Sequence, residues 1–312
     1  MSKSFASSKR VVFMGTPDYA TEILKALIGE NSIKVVALFT QPDKPVGRKQ
    51  ILTPPHIKKY LLETNSDIEI FQPESLKDKE VQKELEKLEP DFIIVAAYGQ
   101  LLPKEVLDIA PCINLHASLL PSYRGASPIQ SSILNGDKFS GVTAMLMDEG
   151  LDRGDILAYS VVKIDDHVMV SRLFEELSKA AAKLTISVVN EFDKIAPIKQ
   201  FDCLKSYSKK ISKNDGLVDL DDAKKVYTKF RAFHPWPGIF LKNSLKIKSL
   251  ELGDSSLHKR DGEILDIKDE SVEVSCLVGS LILKRVQPPS KKEMSAKEYI
   301  LGKRLKVGDS IF

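Results

Sequence analysis

Asn114, His116 and Asp152 are the residues whose types could do chemistry together. The stretch "INLHASLLPSYRG" (113–125) reads as a short strand ending on an amide and an imidazole. Two residues apart on a strand, Asn114 and His116 share a face. An amide can donate to a developing oxyanion, and an imidazole near neutral pH is an acid–base candidate. Asp152 lies in "DEGLDRGDI" (148–156), between Gly150 and Gly154, where the backbone can turn tightly. Taken alone, that stretch reads as an acidic turn in water. Taken with the pair, its carboxylate could orient the imidazole or favour its charged form. With no Ser or Cys nucleophile beside them, such a set suits acyl transfer directly between two bound substrates.

Other motifs are weaker. "MGTPDYA" (14–20) follows an apolar run but keeps only Gly15 of a G-x-G-x-x-G pattern, which argues against a nicotinamide enzyme. The sequence contains no phosphate-loop, nucleophile-elbow or H-E-x-x-H pattern. Cys112, Cys203 and Cys276 are scattered, make no metal-like pair and fit a reducing cytoplasm. No metal is expected.

The elements that must position the trio follow from periodicity. "RVVFMG", "KVVALFT", "DFIIVAAYG" and "VTAMLMD" are apolar runs of strand length. "PDYATEILKALIG", "VQKELEKLE" and "PIQSSILNG" are helix-prone and fall between them. Strands apolar on both faces alternating with helices predict an α/β domain with a parallel sheet covered on both sides. Ligands collect beyond the carboxyl ends of such strands, where Asn114 and His116 should sit. "HVMVSRLFEELSKAAAKLTISVVNEF" (167–192) predicts one long amphipathic helix. The aperiodic stretch 193–215 looks like a linker. Beyond it, short alternating runs broken by Gly, Asn and Pro predict a small β-barrel or sandwich. Domain limits are drawn at 1–192 and 208–312, with a linker at 193–207.

The 312 residues carry a net charge of only +3, unevenly spread. Residues 208–312 hold 21 Lys and Arg against 15 Asp and Glu, a balance of +6, which leaves −3 for the rest. This points either to a polyanionic partner or to a solvated lysine-rich surface. No apolar run is long enough to span a bilayer, and the N-terminal "MSKSFASSKRVVFMGTPD" is too brief for a signal peptide. A monomeric cytoplasmic protein without membrane contact is expected.

"NLHASLLPSYRGASPIQSSILNG" together with "TAMLMDEGLDRGDIL" resembles the 10-formyltetrahydrofolate-dependent formyltransferase family, through its N-H-S-L-L-P pattern and later D-x-G. "VVFMGTPDYA", "LFTQPDKPVGRKQILTPPHIK", "IIVAAYGQLLP", "KISKND" and "FHPWPGIF" are similar to its branch acting on charged initiator tRNA. The similarity runs from about residue 10 to about residue 290. Leu220 stands where many members carry tryptophan, at a site expected to be structural.

The resemblance implies a Rossmann-like, mostly parallel catalytic domain followed by a small OB-like β-barrel that binds tRNA. It implies 10-formyltetrahydrofolate as the formyl-donor co-substrate and initiator methionyl-tRNA as the acceptor and partner. Asn114, His116 and Asp152 match the catalytic trio. Ser118, Leu119, Leu120 and Pro121 match the loop beside the folate, and Tyr98, Gly99, Gln100 and Leu101 match the lining of the pteridine pocket. The 41–53 segment matches the loop that meets the tRNA acceptor stem, with Arg48 the foremost contact and Lys44 and Lys49 beside it. On this reading Asn114 and His116 both donate to the oxyanion, with Asp152 orienting and tuning the imidazole.

Overall fold

A computed structural model describes residues 8–47, 49–257 and 259–312, and in it the chain divides into two compact units. The first holds the described residues up to Ile129, then Lys138–Ile164 and Arg172–Ser208; the second holds Gln130–Asp137, Asp165–Ser171 and the described residues of Lys209–Phe312.

Up to Ser208 the strands are β1 (Lys9–Gly15), β2 (Ile33–Phe39), β3 (Lys44–Val46), β4 (Ile51–Thr53), β5 (Glu69–Phe71), β6 (Phe92–Ala96), β7 (Cys112–His116), β8 (Arg124–Gly125), β9 (Phe139–Leu146), β10 (Ile156–Lys163) and β11 (Tyr207–Ser208). The helices among them are α1 (Asp18–Ile28), α2 (His56–Glu63), α3 (Lys79–Lys87), α4 (Lys104–Leu107), α5 (Pro128–Leu134) and α6 (Val170–Glu191). Seven strands form one sheet in the order β10-β9-β7-β6-β1-β2-β5. The pairs from β7 to β5 are parallel. The architecture is thus mostly parallel and Rossmann-like, as the alternating pattern predicts.

The central parallel strand β6 is buried at every residue and β1 at all but its first two, which is why they read as continuous apolar runs, while β5 at the edge is partly exposed. Amphipathic helices supply the cover. In α1 the residues Tyr19, Ala20, Ile23, Leu24 and Leu27 are buried, at the spacing that keeps one helical face apolar. Asp78 starts α3 by accepting a hydrogen bond from the Glu80 N–H.

β9 departs from the expected parallel run. It pairs antiparallel with both β7 and β10. The loop 147–155 joins β9 to β10 with no crossover helix, and strands joined so directly pair antiparallel. The 41–53 segment departs too. It forms a separate two-stranded ribbon, with Lys44 opposite Thr53, Pro45 opposite Leu52 and Val46 opposite Ile51. Pro45 is tolerated because a two-stranded ribbon is all edge.

The second unit is built on an antiparallel sheet. Its elements are α7 (Ala223–Phe233), β12 (Ile239–Phe240), β13 (Lys246–Leu252), β14 (Ile264–Lys268), β15 (Ser271–Ser275), β16 (Ser280–Gln287), β17 (Met294–Ser295) and α8 (Ala296–Gly302). The strand order is β12-β13-β16-β15-β14, with β17 paired to β16. Val272, Val274, Leu281 and Leu283 alternate inward to make its core, and Leu220 is buried.

Candidate active site

The sheet register sets where the site lies. Phe39, Met14, Val95 and Asn114 stand side by side across β2, β1, β6 and β7. At or just beyond this row the strands end, β2 at Phe39, β1 at Gly15, β6 at Ala96 and β7 at His116, and the chain leaves the sheet at its carboxyl edge. There the Thr16 hydroxyl and the Gln41 side-chain amide both donate to the Tyr98 carbonyl, each at 3.2 Å. Ala97 and Gly99 have positive φ and turn the chain sharply. Leu101 emerges 73% exposed, and Gln100 donates to the Pro73 carbonyl at 3.0 Å. The Tyr98 ring instead packs into the core with Met14, Phe39 and Val106. Its hydroxyl is buried without a partner among the described residues, and burial raises its pKa. Of Tyr98–Leu101, then, the edge gains backbone and the Leu101 side chain, not the phenol.

The structure brings Asn114, His116 and Asp152 together. Asp152 bridges the other two. Its Oδ1 accepts from Asn114 Nδ2 at 3.4 Å, and its Oδ2 lies 3.7 Å from His116 Nδ1. The second distance is too long for a hydrogen bond and short enough for an ion pair once the ring is charged. Oδ2 also accepts the Gly125 N–H at 2.8 Å. His116 Nε2 lies 2.9 Å from the Tyr123 carbonyl. A carbonyl only accepts, so Nε2 carries a proton and donates. Both side chains of the His116–Asp152 pair are nearly buried, at 8% and 12% exposure, so water screens them little.

Local backbone makes this possible. Asp152 adopts φ +50°, a left-handed conformation that Asp tolerates better than most residues. Gly125 adopts φ +114°, and a Cβ there would stand 2.5 Å from the Ser208 carbonyl. That is why an Arg-Gly pair, and no bulkier residue, follows the signature loop.

The loop residues expected beside the folate divide into two kinds. The Ser118 hydroxyl is spent on the Ser122 carbonyl at 2.5 Å, and Leu120 is buried with Met145 and Ile156. Thr143 Oγ1 donates to the Ser118 carbonyl at 2.6 Å and accepts the Leu120 N–H at 3.0 Å. The Tyr159 hydroxyl donates to the Leu120 carbonyl at 2.7 Å. Ser118 and Leu120 therefore shape the loop, while Leu119 and Pro121 stay half-buried. Lys44 and Lys49 are exposed on the ribbon of β3 and β4. Arg48 lies outside the described residues.

Sequence reasoning missed four groups. The Tyr123 carbonyl and Gly125 N–H are backbone groups with no signature of their own. Arg124 is buried, and Gln200 sits in the stretch read as a linker; the two are hydrogen-bonded, at 3.1 Å from Nε and 2.8 Å from Nη2 to Gln200 Oε1. Cys112, beside Ile113 on β7, is buried, and burial pushes its thiol up to about 12. It is protonated at neutral pH. Among the described residues no group of three or more His, Cys, Asp or Glu could hold a metal ion, and no helix is long and apolar enough to cross a membrane.

Two family models match the chain: formyl transferase over residues 9–189 and formyl transferase, C-terminal domain, over residues 210–304. The methionyl-tRNA formyltransferase of Nitratiruptor sp. is 59% identical over 97% of this chain and 100% of its own length. That of Campylobacter lari is 57% identical over 97% and 100%. Among solved structures, an N-formyltransferase from Helicobacter canadensis in complex with folinic acid and dTDP-3-aminofucose shares the fold. Its TM-score is 0.65 at 18% identity, over 88% of this chain and 98% of that one. HypX from Aquifex aeolicus with tetrahydrofolic acid shares it at 0.63 and 17%, over 94% of this chain and 47% of that one. With both domains matched in order and more than half its residues shared with full-length relatives, the chain belongs to the methionyl-tRNA formyltransferases of the formyl transferase family.

Proposed function

We propose that this enzyme transfers a formyl group from 10-formyltetrahydrofolate to the free amine of methionyl-initiator tRNA by direct attack. The observation that carries the reading is the carboxylate of Asp152 held between Asn114 and His116 at the carboxyl edge of the sheet. The edge suits a flat heterocyclic donor. Exposed Leu101 and half-buried Leu119 and Pro121 offer apolar contact, and the sharply turned backbone at 97–99 offers peptide groups. The donor supplies the formyl carbon.

The geometry favours dividing the roles of the polar pair. Asn114 has a second amide N–H beyond the one aimed at Asp152, and this can meet the charge that builds on the carbonyl oxygen. His116 spends Nε2 on Tyr123, so Nδ1 is the nitrogen left to take a proton from the attacking amine. Asp152 then pairs with the charged ring. The new N–C bond forms, a tetrahedral intermediate collapses, and the bond from the formyl carbon to the folate nitrogen breaks. The amine's proton ends on that nitrogen, with the imidazole as carrier. No covalent enzyme intermediate is needed.

Lys44, Arg48 and Lys49 on the 41–53 segment are the residues we assign to the acceptor end, and residues 208–312, with their balance of +6, to the tRNA backbone. The test mixes pure protein, formyl donor and charged initiator tRNA. Formylmethionyl-tRNA should form at a rate proportional to enzyme. Its absence, with a formylated small amine in its place, would overturn the assignment of the acceptor.

A further inference from the structure

The trio's carboxylate is carried on a turn, and something must hold that turn. Gln200 does so through both ends of its amide. Nε2 donates to the Asp152 carbonyl at 3.0 Å and to the Gly154 carbonyl at 2.8 Å. Oε1 accepts from Arg124, whose guanidinium is 3% exposed. The amide has one workable orientation, because carbonyls only accept and a guanidinium only donates. The same segment is clamped on either side of Gln200. Ile198 and Ile156 exchange backbone hydrogen bonds at 2.8 and 2.9 Å, and Arg124 Nη1 meets Asp202 at 3.1 Å. Further on, Ser206 Oγ accepts the Tyr123 N–H at 2.9 Å, and the Ser206 carbonyl accepts the Arg124 N–H at 2.9 Å.

Residues 198–208 are thus a strap over both arms of the site. One arm presents the Asp152 carboxylate. The other presents the Tyr123 carbonyl to His116 and the Gly125 N–H to Asp152. Arg124, between those two backbone groups, returns its side chain to Gln200.

We propose that Gln200, braced by Arg124, is a positioning residue that sets the place of the Asp152 carboxylate between Asn114 and His116. It touches no reacting atom, and it lies in a stretch whose sequence reads as a mere connector. The inference rests on Asp152 belonging to the catalytic set. Misplacing a catalytic group by about 1 Å can cost on the order of 100-fold, so the brace should matter to rate rather than to binding.

The experiment is a double-mutant cycle in full-length enzyme with Gln200→Glu and Asp152→Asn, measuring kcat, KM for charged tRNA, donor affinity and Tm. Gln200→Glu keeps the shape and the Arg124 contact but replaces two donors with an acceptor facing two carbonyls. Gln200→Met, which removes both contacts, serves as a second variant should the first fold poorly. We expect kcat to fall about 10- to 100-fold with KM and donor affinity within about twofold. In the Asp152→Asn background the same change should cost less than about twofold, because its route of action is gone. A folded Gln200 variant at the wild-type rate, with Asp152→Asn impaired, would overturn the brace alone. Equal fold losses in both backgrounds would also overturn it. Asp152→Asn at the wild-type rate would instead overturn the role of Asp152 itself.

Discussion

Asp152→Asn removes the charge and one of the two acceptor oxygens, so that with the remaining oxygen on the Gly125 N–H the Asn114 amide loses its acceptor. Asparagine tolerates the left-handed φ of +50° about as well as aspartate, and its carbonyl can still accept the Gly125 N–H. The fold should therefore survive. What disappears is the attraction between carboxylate and charged imidazole 3.7 Å apart, worth about 4.5 kcal/mol at an effective dielectric constant of ~20. At ~1.4 kcal/mol per factor of ten, that sets a ceiling of about 10³-fold on kcat. The ring keeps its bond to the Tyr123 carbonyl, so part of its support remains, and we expect a loss of about 100-fold. The assay is single-turnover formylation with saturating donor and charged tRNA. Donor affinity is measured alongside by fluorescence. A variant within about threefold of wild type would refute the electrostatic reasoning, and a variant that has lost donor affinity instead would move Asp152 from chemistry to binding.

Asn114→Ala should lower kcat by ~100- to 1000-fold while sparing donor affinity, the usual cost of one oxyanion donor, and single-turnover rates check it. At pH 8 in native protein a maleimide should label exposed Cys203 but not buried Cys112 or Cys276, whose thiols burial pushes up to about 12, and all three in denaturant; mass spectrometry counts the labels. Because residues 208–312 carry a balance of +6, tRNA affinity should fall as salt rises, with a log–log slope of about −0.7 to −0.9 per phosphate contacted, while donor affinity stays flat; filter binding across a salt series reads both.

Asn114 and His116 are legible as a pair because their types and two-residue spacing on a strand carry the information directly, whereas Asp152 joins them firmly only through the family resemblance. The groups that hold these side chains are not legible. The Tyr123 carbonyl and the Gly125 N–H belong to the backbone, and any residue could supply the first. Gln200 acts across 48 residues of sequence on the Asp152 carbonyl, and no local pattern marks such a bond. Parallel β7 and antiparallel β9 have equally apolar sequences, so burial alone cannot tell their directions. The prolines around residue 45 exclude helix and central strand, yet leave open a two-stranded ribbon. Ser118 matched the folate loop by motif, while its hydroxyl turns inward to the Ser122 carbonyl.

In the proposed mechanism Asn114, His116 and Asp152 act as one unit in moving a formyl group onto the methionine amine of a charged initiator tRNA. The most direct measurement is the single-turnover rate of formylmethionyl-tRNA formation by wild type and His116→Ala, with donor affinity recorded for both. The wild type should formylate the tRNA, and the variant should be slower by about 100-fold or more with donor affinity within about twofold. A wild type that leaves the charged tRNA unformylated, or a His116→Ala enzyme as fast as wild type, would contradict it.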